Sequence, residues 1–386
     1  MTRVAIIADS HWDEHSRFEE CIAIHNWIAT DMQCRNVDLV LHAGDVFERR
    51  STPRERAAFA SWVQKVATHV GPLVIVRGNH DPLGDLPIFS RLETRYEVIV
   101  EEAANVHVIT CNGVDVAVAC LAWPRKAELL ARLPNTVGRE DSEQAAREAL
   151  RMVLRWLGDE LERHEGPTVL LSHAMVSGSL TSTGQPLVGC DLEIGLDDLA
   201  LAGADFTALG HIHMPQDWQI PTGRAVAYPG SPRRTAYGEV EDKGYIIIDI
   251  DDDGTVSWQR VQTPARKMVL IHVGLTEDFR AIDHQVREAE VRLRYDTAAD
   301  TREAMRSNAR GWAGALVAEG GAVEVKIEEV VQPSVRARAP EIAAAKTIGE
   351  KLRAVWDARG DAPEEDRAER LIGMANRLEE EVRNVS

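Results

Sequence analysis

The sequence lacks the long apolar runs and the positive charge that mark several broad classes of protein. No apolar run reaches the roughly 18 residues of a membrane-spanning helix, and the apolar stretch before Asp9 is too short for a signal peptide. Lys and Arg number 44 against 62 Asp and Glu, so the formal net charge is −18. This charge excludes nucleic-acid binding over the whole surface, but not binding through metal ions, a local basic strip or a partner.

Cysteine is also scarce, and its spacing carries no metal motif. The chain of 386 residues has five cysteines, an odd number, and no two of them form a CxxC pair. A thiolate zinc site and a complete disulfide framework are therefore not indicated. We expect reduced core thiols in a cytoplasmic protein; the residues are Cys21, Cys34, Cys111, Cys120 and Cys190.

Short apolar runs alternate with helical patterns through the first 265 residues. The runs are rich in β-branched residues and too short for helices, so they predict strands that are buried on both faces. They lie at residues 4–8, 37–41, 73–76, 169–171 and 206–209. Pro53 suits the first turn of a helix, and an apolar stripe predicts another helix over residues 143–163. The alternation predicts a layered α/β core.

The composition shifts near residues 263–266, where a second, smaller α/β pattern begins. It predicts strands at 268–273, 289–295 and 322–331, with helices at 277–286 and 301–317. From Pro340 the chain is highly charged and helical, with two narrow apolar stripes. We therefore predict three regions, residues 1–265, 266–335 and 336–386.

Polar side chains follow each of the strands predicted in the first region. A single Asp or His at such a place is usually a turn or cap residue, but these recur in one structural context, at the strand ends where α/β sheets bind ligands. Carboxylate, amide and imidazole donors without thiolate suit manganese, iron or zinc better than calcium. The pattern predicts a two-metal site; its segments are Asp9-Ser10-His11, Gly44-Asp45, Gly78-Asn79-His80-Asp81, Ser172-His173 and Gly210-His211-Ile212-His213.

Together these motifs resemble the calcineurin-like metallophosphoesterase superfamily over about residues 3–235. The resemblance implies an α/β fold, a four-layer β-sandwich flanked by helices, with a small α/β capping domain and C-terminal helices. It implies two divalent metal ions, the first held by Asp9, His11 and His213, the second by Asn79, His173 and His211, with Asp45 bridging both. A shared carboxylate offsets the repulsion between two cations roughly 3.5–4 Å apart.

The resemblance also implies catalytic roles for two residues that are not ligands. With two metals activating a water for attack at phosphorus, His80 would stabilise the transition state or protonate the leaving oxygen. Asp81 would hold the His80 ring in position. We further expect Arg233, Arg234 and Lys243 to help the metals hold phosphates.

Within the superfamily, three segments are similar to those of SbcD-type DNA repair exonucleases: Gly-Asp-Val-Phe at 44–47, Tyr-Pro-Gly-Ser-Pro with Gly-Glu at 228–239, and Lys-Gly-Tyr at 243–245. This similarity implies a manganese-dependent DNA nuclease, a 3′–5′ exonuclease on duplex DNA and an endonuclease on single strands. Such an enzyme acts in double-strand-break processing, recombination or repair. The similarity also implies a homodimer whose C-terminal helices bind an SbcC-like, SMC-type ATPase.

Two other functions stay open at this point. The chain departs from some SbcD-type members at Glu48, where they carry His. A stand-alone phosphoesterase acting on small nucleotides or phosphoproteins would need no capping domain, so the C-terminal 120 or so residues argue against it. A non-catalytic scaffold on the same fold is disfavoured by the complete ligand set and by His80.

Overall fold

The computed structural model describes residues 1–131, 142–182, 192–220, 222–251, 255–274, 286–332, 342 and 344–385. Cys190 and nearly all of the helix predicted over 277–286 lie outside the described residues. Among the cysteines inside them, Cys21, Cys111 and Cys120 are buried free thiols, as predicted, whereas Cys34 is exposed.

The described helices are α1 (Phe18–Cys34), α2 (Pro53–His69), α3 (Lys126–Ala131), α4 (Ser142–Glu162), α5 (Leu196–Leu199), α6 (Arg302–Ala318), α7 (Ile348–Arg359) and α8 (Glu365–Val385). Two short 3₁₀ helices cover Pro87–Arg91 and Ala200–Ala202. As predicted, Pro53 opens α2. The preceding Thr52 caps it, since its hydroxyl accepts the N–H of Glu55 and the Glu55 carboxylate accepts the N–H of Thr52.

The described strands are β1 (Thr2–Ile7), β2 (Leu39–His42), β3 (Leu73–Val76), β4 (Val98–Glu101), β5 (Ala104–Cys111), β6 (Val114–Leu121), β7 (Thr168–His173), β8 (Met175–Val176), β9 (Glu193–Ile194), β10 (Phe206–Gly210), β11 (Gln216–Gln219), β12 (Ala225–Tyr228), β13 (Gly244–Ile250), β14 (Val256–Gln262), β15 (Met268–Val273), β16 (Glu290–Thr297) and β17 (Glu324–Val331). The strands predicted from the apolar runs are confirmed as β1, β2, β3, β7 and β10.

Two six-stranded sheets are formed by strands between residues 2 and 262. The first has the order β14-β13-β1-β2-β3-β4, with parallel pairing from β1 to β4 and antiparallel pairing to β13 and β14. The second has the order β11-β12-β10-β7-β6-β5, again parallel at its centre and antiparallel at both edges. The parallel strands of each sheet therefore end at a common edge.

The inner faces of the two sheets pack against each other. Val4 and Ile6 of β1 and Leu41 of β2 belong to one fully buried cluster with Val169 and Leu171 of β7. Alternate residues point outward, because side chains along a strand alternate between its faces. The strands are thus buried on both sides, as their continuous apolar sequence predicts.

A layer of helices covers the outer face of each sheet. On the first sheet, Ala5 and Ile7 share a core with Met32 of α1 and with Phe59 and Trp62 of α2. On the second, Leu170 and Leu209 share a core with Leu154 and Leu157 of α4. The four layers, helix, sheet, sheet and helix, confirm the predicted fold class.

By its internal contacts the chain forms two units: residues 1–272, 279–294 and 310–328, and residues 273–278, 295–309 and 329–386. The first contains the sandwich and a smaller core that includes Val291 and Leu316. In the second, α7 and α8 pair: the N–H of Gly349 donates to Asn376 Oδ1 at 3.0 Å. The three-stranded sheet β15-β16-β17 and helix α6 match the strands and the helix predicted between residues 266 and 335. The predicted boundaries at 265 and 335 stay a prediction.

Among the described residues, none of the helices combines the length and the apolar character that a membrane crossing requires.

Candidate metal centre

The predicted ligands converge because the parallel strands of both sheets end at the same edge of the sandwich. Asp9 and His11 follow β1, Asp45 follows β2 and Asn79 follows β3 in the first sheet. In the second sheet, β7 ends at His173, which pairs with Gly210 at the end of β10. The predicted ligands His211 and His213 follow directly after β10. The structure brings these side chains together.

The turns that carry the ligands adopt a backbone conformation that most residues avoid. Asp9, His11 and Asp45 have φ angles of 53°, 43° and 52°, and His211 has a φ of 110°. Non-glycine residues with positive φ are uncommon, and they concentrate at functional sites where surrounding contacts hold them. The strained backbone of these turns therefore indicates a functional site at this edge of the sandwich.

Glycine is needed where the ligand turns approach one another. A Cβ on Gly44, whose φ is +87°, would lie 2.6 Å from Nδ1 of His173. A Cβ on Gly78 would lie 2.1 Å from Oδ1 of Asp45. Neither contact is sterically possible, so the Gly-Asp and Gly-Asn-His motifs serve the close approach of backbone and ligands.

One group of donor atoms consists of Asp9, His11 and His213, whose ligand atoms lie within 4.8 Å of one another. The Nε2 atoms of His11 and His213 are only 2.9 Å apart. Oδ2 of Asp9 is buried and has no hydrogen-bond partner. An orphaned buried carboxylate oxygen beside two facing imidazole nitrogens is the arrangement expected of ligands to a cation.

A second group, Asp45, His173 and His211, meets the same distance criterion. Oδ1 of Asn79 lies 2.9 Å from Nε2 of His173 and 2.9 Å from Nδ1 of His211, so the amide joins this group. Oδ2 of Asp45 lies 3.4 Å from Nε2 of His173 and 3.7 Å from Nε2 of His11. Asp45 therefore stands between the two groups.

The electrostatics of the centre favour bound positive charge. Burial favours the neutral form of His173, yet Asp45 outweighs it and raises the pKa of His173 to about 9. Burial likewise opposes ionisation of Asp45, but His173 and His11 hold its pKa well below the usual range. A buried carboxylate and an adjacent imidazole that share a proton in this way are a pair of ligands for a divalent cation. Binding of the cation would displace the proton from the imidazole. The donor set thus fits two divalent ions.

Neighbouring groups orient the imidazole rings for this purpose. Nδ1 of His173 lies 2.7 Å from the carbonyl of Ala43, which only accepts, so Nδ1 carries the proton and Nε2 is left for a metal. Nδ1 of His213 lies 3.3 Å from the Glu239 carboxylate. Although burial opposes it, His213 and Lys243 lower the pKa of Glu239. Sequence reasoning missed this role of Glu239, which lies 26 residues from its partner.

His80 is arranged differently from the ligands. Its side chain is 38% exposed, more than those of His213, His11 and His173, which are 26%, 4% and 0% exposed. Its Nδ1 lies 2.8 Å from the Glu48 carbonyl, which leaves Nε2 for proton transfer. The backbone N–H of His80 donates to Oδ1 of Asp45 at 2.9 Å, so the ring is tied to the centre through its main chain.

The predicted contact between Asp81 and the His80 ring is corrected by the structure. The Asp81 carboxylate instead accepts the backbone N–H groups of Val46, Phe47 and Gly78 at 3.2, 3.0 and 2.9 Å. Burial and the nearby Asp45 charge raise the pKa of Asp81 to about 6. Asp81 joins the turns after β2 and β3, and the carbonyl of Glu48 holds the His80 ring.

The expected phosphate-binding cations are also corrected. Arg233, Arg234 and Lys243 are 1%, 5% and 1% exposed. Arg233 donates to the carbonyl of His11, Arg234 donates to backbone carbonyls, and Lys243 pairs with Glu239 and Glu241. These cations stabilise the loop beneath the centre and are not accessible to a phosphate.

Glu48 lies next to the first group. Its Oε2 is 2.7 Å from Nδ1 of His11, and this contact lowers the pKa of Glu48. A carboxylate on the far nitrogen of a ligand histidine is a common arrangement around bound metals. The structure thus places the Glu48 carboxylate beside the far nitrogen of His11.

Comparisons with known proteins agree with this geometry. Residues 2–215 match the model of the calcineurin-like phosphoesterase family. Two similar relatives are the SbcD polypeptides of the SbcCD nucleases of Bacillus subtilis, 27% identical over 276 residues (67% of this chain and 69% of the relative), and of Escherichia coli, 25% identical over 279 residues (67% and 66%). The DNA double-strand break repair protein Mre11 of Sulfurisphaera tokodaii is 25% identical over 269 residues (68% and 60%). The chain belongs to the calcineurin-like phosphoesterase family and is a phosphodiester hydrolase.

Proposed function

We propose that this calcineurin-like phosphoesterase is a two-metal-dependent DNA nuclease, a 3′–5′ exonuclease on duplex DNA and an endonuclease on single strands. It would act with an SbcC-like ATPase in double-strand-break processing, recombination or repair. The observation that carries the proposal is the position of Asp45 between two groups of metal-ligand donors. The similarity to SbcD and Mre11 nucleases supports DNA as the substrate.

In this proposal each residue has a defined task. Asp9, His11 and His213 would hold the first ion, Asn79, His173 and His211 would hold the second, and Asp45 would supply a ligand to each. Two divalent ions held there would offset the charge of a phosphodiester and supply an activated water. The chain's own part is to keep the donors in place, through the strained turns, Asp81 and the carbonyl of Ala43.

His80 would complete the reaction as the proton donor. Its ring centroid lies 5.0 Å from that of His11, and a ring nitrogen of His80 lies within 4.8 Å of donor atoms of His11 and Glu48, so it borders the centre. Because its side chain is half-exposed, an incoming diester can reach it. We assign it protonation of the leaving oxygen or stabilisation of charge in the transition state.

Charge distribution limits how the chain holds DNA. The net charge is −18, and Arg233, Arg234 and Lys243 are buried. Binding of a polyanion therefore depends on the two metals and on surfaces that a partner ATPase or a second copy in a homodimer supplies. We expect weak binding of DNA by the isolated, metal-free chain.

Incubation with end-labelled duplex DNA tests the function. With Mn²⁺ we expect mononucleotide products, a chelator should stop the reaction, and Mg²⁺ should restore it less well because it prefers all-oxygen ligands. Full activity with Mg²⁺ alone would contradict the assignment of imidazole ligands. Hydrolysis of a small chromogenic diester without any cutting of DNA would instead favour the stand-alone phosphoesterase.

The C-terminal hairpin is proposed to bind the ATPase. Helices α7 and α8 pack together through Gly349, whose added Cβ would lie 2.8 Å from Ile372. Leu371, Met374 and Leu378 of α8 remain 38%, 57% and 57% exposed. Residues three and four apart share one helix face, so these apolar side chains form a stripe suited to a partner helix. The proposal keeps residues 1–265 as nuclease domain, 266–335 as capping domain and 336–386 as this binding segment.

Removal of residues 340–386 should leave Mn²⁺-dependent cutting of single-stranded DNA intact and abolish binding to an SbcC-like ATPase. Co-purification with the ATPase measures the second effect, and Leu378→Glu in the full chain is a matched test of the apolar stripe. Co-purification of the truncated chain with the ATPase would refute the docking role.

A further inference from the structure

A buried chain of hydrogen bonds runs behind the ligand turns, centred on the hydroxyl of Ser10. Oγ of Ser10 lies 2.9 Å from Nε2 of His25 on α1 and 2.8 Å from Nε2 of His42 on β2. All three residues are 0% exposed. Their sequence separations of 15 and 32 residues show that tertiary structure alone brings them together.

The first half of the chain has a determined direction. Nδ1 of His25 lies 2.7 Å from the backbone carbonyl of Cys21, which can only accept, so Nδ1 carries a proton. Burial lowers the pKa of His25 to about 3, and the ring is therefore neutral. A neutral ring protonated at Nδ1 has a bare Nε2, so the Ser10 hydroxyl donates to His25.

The second half follows from the first. Since the single hydroxyl proton of Ser10 is used, its oxygen accepts from Nε2–H of His42. Burial lowers the pKa of His42 to about 3 as well, so its Nδ1 is bare. That nitrogen accepts the backbone N–H of Gly44 at 3.2 Å. One proton arrangement thus satisfies the whole chain from Gly44 through His42, Ser10 and His25 to Cys21.

The chain of hydrogen bonds reaches two strained metal-ligand turns. Ser10 separates Asp9 from His11, and Gly44 precedes Asp45; the residues on either side of Ser10 and both residues of the Gly-Asp pair have positive φ. Strained turns persist only where surrounding contacts determine them. A directional chain anchored on α1 supplies such contacts to both turns at once.

Aromatic rings close the chain off from solvent. The ring centroids of Trp12 and His25 are 4.5 Å apart, and Trp62 Nε1–H donates to the carbonyl of His25 at 2.9 Å. Phe59 packs edge-on to His42, with ring centroids 6.4 Å apart. With water excluded, a lost hydroxyl leaves two imidazole nitrogens without partners.

We propose that Ser10, His25 and His42 form a positioning network that sets the geometry of Asp9, His11 and Asp45 for metal binding. This inference rests on the proposed two-metal site. The network touches neither metal nor substrate, and it acts by holding the two turns in register. Loss of an outer hydrogen-bond partner typically weakens metal binding by roughly 10–100-fold.

The test compares Ser10→Ala with wild type by calorimetric titration of Mn²⁺ into the metal-free chain. We expect an affinity about 10–100-fold weaker in folded protein, and faster hydrogen exchange of the Gly44 amide without metal. Tyr245→Phe is the matched control, because it also removes a buried hydroxyl, one that donates to Asp31 at 2.5 Å away from the ligand turns. The control should keep wild-type affinity; equal weakening in both variants would overturn the proposal, as would native affinity in Ser10→Ala.

A second pair of variants covers the case in which Ser10→Ala does not fold. Glutamine at position 42 retains a donor and an acceptor, whereas leucine retains neither, so His42→Gln should bind Mn²⁺ more tightly than His42→Leu. Equal affinities would overturn the network. Absence of Mn²⁺ binding by the wild-type chain would instead refute the proposed two-metal site, which keeps the two failures distinguishable.

Discussion

Asp45→Asn is expected to reduce phosphodiester hydrolysis below detection and to weaken Mn²⁺ binding at both sites. Asp45 lies between the two donor groups, so both ions lose one anionic ligand. Asparagine tests the carboxylate more selectively than alanine, because φ at this position is 52° and asparagine tolerates that backbone conformation. Its amide oxygen can also still accept the N–H of His80. We expect metal affinity to fall by more than the roughly 10–100-fold typical of an outer partner.

Asp205→Asn is the matched control for this experiment. Asp205 precedes β10, at the strand end opposite His211, and its carboxylate accepts the N–H and the hydroxyl of Thr168. The control should keep both metals and near-normal activity, although its stability falls slightly. An Asp45→Asn variant that binds two ions and cuts DNA would show that Asp45 bridges nothing.

His80→Ala is expected to retain both metals and to lose most of the turnover. Acid–base assistance is typically worth about 10²–10⁴-fold, so kcat should fall by that factor. The backbone N–H that donates to Asp45 survives the substitution, and the metal affinity should not change. Single-turnover cleavage of labelled DNA and Mn²⁺ titration measure the two quantities separately.

His107→Ala is the matched control, because it removes the imidazole of a histidine outside the metal centre. His107 lies on β5 and pairs with Glu101 at 3.1 Å. This variant should cut DNA at the wild-type rate. A near-normal rate in His80→Ala would show that His80 has only a structural role, and a parallel loss of metal would place it among the ligands.

Much of this architecture could be predicted from the sequence because its signals are local. The apolar runs of β1, β3 and β7 show buried strands, and polar residues directly after them lie at one sheet edge. Asp9, Asn79 and the other predicted donors therefore converge in the structure. Position within the pattern was enough to predict that these side chains lie close together.

The roles of Asp81, Arg233 and Lys243 could not be predicted, because they depend on partners brought close by tertiary structure. Asp81 is bonded to backbone groups of the turn after β2, 34 and 35 residues away. Arg233 donates to the carbonyl of His11, 222 residues away. Whether a charged side chain is exposed to a ligand or buried among such partners is decided by tertiary packing. The same holds for the Ser10 network.

The central claim is that this chain holds two divalent ions around Asp45. Crystals grown with Mn²⁺ and measured at the manganese absorption edge test it directly. We predict two anomalous peaks roughly 3.5–4 Å apart, one at Asp9, His11 and His213, the other at Asn79, His173 and His211, with the Asp45 carboxylate touching both. A single peak, or peaks held by other residues, would contradict the account.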